Sequence, residues 1–167
     1  IAAVELWRQH SPPDVASPAA VALWLEPLEH PLDTGAPPSQ ELDRVPWQPI
    51  QLPYTAQAWA DASPHHDYRA WVRITLPDAL QQRGTREGGL AIMANRVFAS
   101  GPWSAWSGGQ LLQTNVRGWG LQWNTPLRVQ VPTGAQEITL SLPVRSDTGF
   151  ALGSVYAGLT DDIDQAW

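Results

Sequence analysis

Four of the chain's ten tryptophans fall between residues 101 and 123, in the run GPWSAWSGGQLLQTNVRGWGLQW. Tryptophan suits either a packed site where its indole N–H finds an acceptor, or a surface that touches something flat. Trp103 and Trp106 stand three apart, so in one strand they face opposite sides of a sheet, one expected in the core and the other outward. Trp119 and Trp123 flank Gly-Leu-Gln, with Arg117 and Asn124 at the margins. Indole rings beside a guanidinium and an amide fit a sugar, whose C–H face stacks on the ring while its hydroxyls take directed hydrogen bonds. Trp103, Trp106, Arg117, Trp119, Trp123 and Asn124 are therefore the candidate ligand-binding residues. An outward Trp serves a protein partner equally well, because interface hot spots favour Trp, Tyr and Arg.

Catalytic chemistry has no comparable concentration. His65, His66 and Asp67 are consecutive, and neighbouring side chains of a strand point to opposite faces, so the two imidazoles do not converge on one metal. They read as a loop ahead of the next strand. Ser104 and Ser107 lie in the Trp/Gly run with no G-x-S-x-G and no nearby histidine. Asp161, Asp162 and Asp164 lack the glycine and later glutamate of a calcium loop. They read as helix N-terminal charge, with room left for a structural calcium. No glycine-rich phosphate loop occurs. The expectation is a non-catalytic domain with no cofactor.

Composition narrows the partners. The 167 residues fit one domain with a real core, and 43% are hydrophobic. All ten basic residues are arginine, and the net charge is −6, which argues against nucleic acid and against an anionic membrane surface. Cysteine is absent, so disulfides and thiolate chemistry are excluded. No stretch reaches the roughly 18 to 20 apolar residues of a membrane span, and IAAVELWRQH is no signal peptide. A chain opening on Ile reads as a piece of a longer protein.

The elements that must position these residues are short strands. Proline and glycine punctuate the whole sequence. Residues 1–64 are irregular and Pro-rich and are expected to pack on the sandwich, because Trp24, Trp47 and Trp59 need burial; VALWLE reads as an edge strand, in competition with a helix opened by Ser17 and Pro18. In DYRAWVRITLP, Tyr68, Ala70, Val72, Ile74 and Leu76 form one face, and Arg69, Trp71, Arg73 and Thr75 form a solvated, basic face. ALQQRGTREGG reads as a loop, LAIMA as a strand buried on both faces, and Ser107-Gly108-Gly109 as a hairpin turn. Leu127, Val129 and Val131, then Ile138, Leu140, Leu142 and Val144, point inward from two strands joined at Thr133-Gly134. FALGSVYAGL closes the series, and TDDIDQAW begins a helix with Thr160 as its N-cap. The pattern predicts an all-β antiparallel sandwich or jelly roll with at most one or two short helices.

The order YRAWVRITL, GGLAIMANRV, WSAWSGGQLLQ, WNTPLRVQVPTGAQEITLSLPV and GFALGSVYAGLTDDIDQAW resembles the extracytoplasmic sensor domains of bacterial membrane-bound histidine kinases and diguanylate cyclases. It is also similar to the jelly-roll extracellular module of seven-transmembrane receptors with diverse intracellular signalling modules. The matching residues are Pro126-Leu127 through Val131-Pro132, Ile138 and Leu140, and Gly153, Val155 and Gly158, within residues 65–167. Ser107-Gly108 replaces the family's usual Asn-Gly. The resemblance implies a galactose-binding-like sandwich over residues 1–167, with core strands in 65–160 and a connection to a membrane helix starting at 161–167. It also implies a periplasmic, membrane-anchored setting in which the domain binds a small ligand such as a carbohydrate, or a partner protein, with a homodimer as one arrangement. The alternative is a carbohydrate-binding accessory module of a secreted polysaccharide-active enzyme.

Overall fold

The computed structural model describes residues 14–28, 40–56, 67–115 and 122–167, the side chains of 40, 41 and 122–125 excepted. Among the described residues twelve strands lie in order: β1 (Val15–Ala16), β2 (Ala20–Leu28), β3 (Gln48–Pro49), β4 (Tyr54–Ala56), β5 (Asp67–Thr75), β6 (Leu90–Ala99), β7 (Ser104–Ser107), β8 (Gln110–Thr114), β9 (Gln122–Val131), β10 (Glu137–Val144), β11 (Phe150–Leu152) and β12 (Val155–Leu159). Two short helices, α1 (Asp78–Arg86) and α2 (Thr160–Ala166), and a 3-10 segment over Gln40–Arg44 complete the described elements. The expected all-β architecture is what the chain forms.

Every pairing is antiparallel. One sheet runs β3-β2-β5-β10-β7-β8. The other is built on β6, with β9 along one side and β12 and β11 along the other, β1 beyond β12 and β4 beyond β11. The main core fills the space between them. Val72, Ile74, Ile92, Leu127, Val129, Ile138, Leu140, Leu142 and Phe150 are all buried there, each worth about 1.5–3 kcal/mol on burial.

The strands give the sandwich two distinct ends. At one, here the base, Thr75 pairs with both Ala20 and Glu137, and Leu90 pairs with Val131 and Leu159. Both helices sit at this end, as does the start of the described chain, since Asp14 precedes β1 and Val15 pairs with Gly158. The Asp14 carboxylate accepts a 2.8 Å hydrogen bond from Arg83 of α1, which holds that guanidinium above its ordinary pKa. At the opposite end Leu28 pairs with Asp67, Val144 with Tyr68, Ser104 with Thr114, Ala99 with Gln122 and Phe150 with Ala56.

Three expectations differ from the structure. ALQQRGTREGG is not a loop, because α1 occupies Asp78–Arg86, entered from an extended Pro77. Asp78 in its first turn and Arg83 and Arg86 in its last complement the helix dipole, and Leu80 is buried beneath it. Thr160 is the first residue of α2 and supplies no capping bond; its hydroxyl receives the Gln130 amide instead, at 2.9 Å. The α2 residues also close the base, with Ile163 fully buried. The face of β5 read as solvated and basic is largely covered: Trp71 is 1% and Arg69 4% exposed.

Candidate functional site

The outer face of the β2-β5-β10-β7 sheet gathers four tryptophans, Trp24, Trp47, Trp71 and Trp106. In-register pairing sets Trp24, Trp71, Ser141 and Ser104 in one row across the sheet, and Ala22, Arg73, Thr139 and Trp106 in the next. Glu26 and Arg69 pair in the row beyond, towards the end opposite the base. Residues 40–47 lie over this face. Leu42 packs with Trp71 and Trp106 in a second apolar cluster, and Trp24, Val45 and Trp47 pack around it.

Each polar group under the cover has a specific role. Trp106 donates its indole N–H to Ser141 Oγ at 3.1 Å, and Trp71 donates to Glu26 Oε1 at 3.3 Å. Trp47 donates to the Leu42 carbonyl at 2.8 Å. The Arg73 guanidinium lies 4.4 Å from the centre of the Trp47 ring, and that of Arg69 5.2 Å from Trp71, the range in which the ring quadrupole attracts a cation. Arg69 is also 3.6 Å from Glu26, and Arg73 lies 3.8 Å from Asp43 and 3.9 Å from Glu137. Half-buried Trp24 and Trp47, with Glu26 and Arg73, remain accessible as a rim. Indole edges between a carboxylate and a guanidinium offer a stacking surface flanked by directed hydrogen-bond donors and acceptors.

The candidate residues read from the sequence separate in the structure. Trp103 and Trp106 do face opposite sides of the sheet, Trp103 in the main core and Trp106 in the outer cluster. The expectation that one would be exposed fails, since they are 3% and 4% exposed. The reason is the 40–47 segment, which covers the face that a bare sheet would leave open. Trp103 lies at the end opposite the base, where its carbonyl takes the Asn115 N–H at 2.9 Å and the Thr114 hydroxyl at 3.2 Å. Its own indole N–H meets no acceptor among the described residues. Arg117 and Trp119, like His65 and His66, lie outside the described residues, and of Trp123 and Asn124 only the backbone of β9 is described. That backbone starts beside Ala99, so these two also stand at the end opposite the base.

Trp24, Trp47 and Trp71 were not among those candidates. The signal for them was the second face of DYRAWVRITLP, where a tryptophan between two arginines implies a cover. At the base, Asp164 is held by Arg128 at 2.6 Å, and no group of three or more metal-ligating side chains occurs among the described residues. A shallow groove of about 190 Å³ lies beside α1, walled by Gln82, Thr85, Pro132 and Thr133.

No family model matches the chain. No curated protein matches it either. Among solved structures, a Bacteroides fragilis protein assigned as a β-galactosidase is similar over 86% of this chain and 23% of its own, with a TM-score of 0.54 and 16% identity. A β-glucuronidase of Faecalibacterium prausnitzii aligns with 78% of this chain and 21% of its own, at a TM-score of 0.42 and 19% identity. An α-xylosidase of Xanthomonas citri aligns with 93% and 20%, at 0.37 and 11%. The chain thus spans under a quarter of the length of each. At such identities the first likeness establishes a shared sandwich fold, and the fold alone.

Proposed function

We propose that this chain is a non-catalytic recognition domain that reads a carbohydrate with the end opposite its base and the adjoining outer face. The observation that carries this reading is the polarity of the sandwich. β1 and both helices share the base. The strand ends carrying Trp103, Trp123, Asn124 and Glu26 stand at the far end. With the base closed by the two helices, the opposite end and the adjoining outer rim are the faces left to a ligand. The setting we favour is extracytoplasmic, in a membrane-anchored signalling protein whose membrane segment follows the base. Ligand binding there acts by favouring one relation of the domain to that segment.

The likeness to a β-galactosidase supports a second setting, an accessory sandwich of a secreted polysaccharide-active enzyme. The encoded sequence beyond Trp167 separates the two, since a transmembrane stretch fits the first and a glycosidase domain the second. Recognition itself is tested by calorimetry and tryptophan fluorescence against neutral and acidic sugars, with Trp24→Ala and Trp119→Ala beside the parent. The expected result is a saturable response lost in a variant that keeps its far-UV circular dichroism. No heat with any sugar class overturns the carbohydrate reading.

A further inference from the structure

We infer that residues 40–47 are an autoinhibitory cover: they lie where a carbohydrate chain would lie on the outer face, and they lift off without unfolding the sandwich. The inference rests on the carbohydrate reading above and adds what regulates it. Among the described residues four polar or charged side chains are buried, Arg69, Ser104, Thr139 and Ser141. All four belong to the outer face, Ser104 and Ser141 in the row of Trp24 and Trp71, Thr139 beside Trp106, and Arg69 opposite Glu26. The core between the sheets is apolar. Burying polar groups is costly unless each keeps a partner, and a face meant to stay dry is built as the inter-sheet core is. This one is built as a surface and then covered.

The hydrogen bonds leave a seam between cover and sheet. Trp71 bonds Glu26 of β2, Trp106 bonds Ser141 of β10, and Ser104 shares a 3.1 Å hydrogen bond with Thr114 of β8. Trp47, for its part, bonds the Leu42 carbonyl within the covering segment. None of these bonds crosses the seam, so all of them survive its opening. Arg73 is the charged tie, 3.8 Å from Asp43 of the cover, but Glu137 of β10 stands 3.9 Å away and keeps the guanidinium paired once Asp43 leaves. What holds the cover down is packing. Among residues 42–47 Leu42 alone is buried, with Val45 and Trp47 half-buried beside it. The pairing of Gln48 with Leu23 in β3 fixes the point from which the segment swings.

Lifting the segment adds Trp71 and Trp106 to Trp24, which already stands at the rim. The strands β2, β5, β10 and β7 are successive neighbours. At about 4.8 Å between strands the three indoles spread over a strip roughly 14 Å wide. Such a strip takes several linked sugar rings, each stacking its C–H face on an indole, where the closed rim offers only Trp24 and Trp47. The occupant is therefore an oligosaccharide laid across the strands, in place of the cover. A ligand that needs the open face binds with an affinity reduced by the open fraction. Minor states of this kind are commonly populated at about 0.1–10%, so releasing the cover should tighten binding about 10-fold or more.

The test uses the whole chain. In the parent, the indole N–H groups of Trp71 and Trp106 should exchange with solvent through an opening that urea accelerates far less than it accelerates global unfolding. Leu42→Ser should keep the far-UV spectrum, admit acrylamide to both indoles, and bind neutral or acidic oligosaccharides about 10-fold more tightly than the parent by calorimetry. The chain lacks cysteine, so Asp43→Cys with Glu137→Cys, joined by a short bis-maleimide, locks the cover across Arg73. The locked chain should bind more weakly than the parent. Equal affinity in the parent, open and locked chains overturns the inference and leaves the carbohydrate reading standing. Exchange of both indoles only through global unfolding overturns it too, whatever Leu42→Ser does to the fold. If no oligosaccharide binds even the open chain, the carbohydrate reading fails and the inference falls with it.

Discussion

Replacing Trp106 separates a ring that packs from a ring that waits for a ligand. The indole is buried under residues 40–47, among Leu42 and Trp71, and its N–H reaches Ser141 Oγ at 3.1 Å. Trp106→Ala removes that apolar area and leaves a cavity, which costs about 3–5 kcal/mol in comparable core truncations. It also strips a buried hydroxyl of its donor, for about 1 kcal/mol more. Trp106→Phe keeps most of the packing and loses chiefly the hydrogen bond, so its expected cost is about 1–2 kcal/mol. The two variants should differ by roughly 2–5 kcal/mol, a large share of the 5–15 kcal/mol typical of a domain. Urea unfolding followed by far-UV circular dichroism measures this, provided the slope stays constant across the three proteins. The reasoning fails if both variants unfold within about 0.5 kcal/mol of the parent, the usual cost of a surface change. It fails most clearly if a sugar response disappears at the same time.

Two further perturbations probe how the covers are attached. Gly84→Ala would ordinarily stabilise a helix by up to about 1 kcal/mol, but a methyl group there would stand 2.8 Å from Leu90 Cδ2 on β6. The expected net effect is a loss of roughly 1–2 kcal/mol from overpacking, visible as a lowered Tm, and any gain in Tm contradicts the close approach of α1. Trp47→Ala removes the ring that stacks on Arg73 and bonds the Leu42 carbonyl. Trypsin should then cut after exposed Arg44 several-fold faster while the sandwich stays intact, and an unchanged cleavage rate would show that Trp47 does not hold this segment down.

The sandwich was legible because most of its strands announce one buried face by strict alternation. Val72, Ile74, Leu127, Val129, Ile138, Leu140 and Leu142 all point where the period of two places them. The 108–109 hairpin was equally plain, since Gly-Gly between polar residues permits little else. What escaped was whatever depends on a segment remote in sequence. The face of Arg69, Trp71 and Arg73 looks solvated when β5 is considered alone; that the N-terminal part packs on the sandwich was expected from its tryptophans, but not that residues 40–47, more than twenty residues earlier and without periodicity, lie on this face. Helix α1 was hidden by its own glycine. Gly84 weakens the helical signal, yet the contact with Leu90 requires a residue without a Cβ at that position.

The same remoteness explains the choice of tryptophan on the outer face. A phenylalanine would supply comparable apolar cover, but the sheet beneath also buries Ser104, Thr139 and Ser141 and brings the Glu26 carboxylate alongside. Buried acceptors of this kind are costly unless a donor reaches them. Indole carries that donor at the far edge of a large ring, so one side chain can exclude water and still satisfy a neighbour. Trp71 on β5 bonds a residue of β2, Trp106 on β7 bonds one of β10, and Trp47 closes back on the segment that covers them both. Each ring thus ties two pieces of chain whose contact no local pattern encodes. On this face the tryptophans hold the covering segment to the sheet, and Trp24, Glu26 and Arg73 stay accessible at its rim.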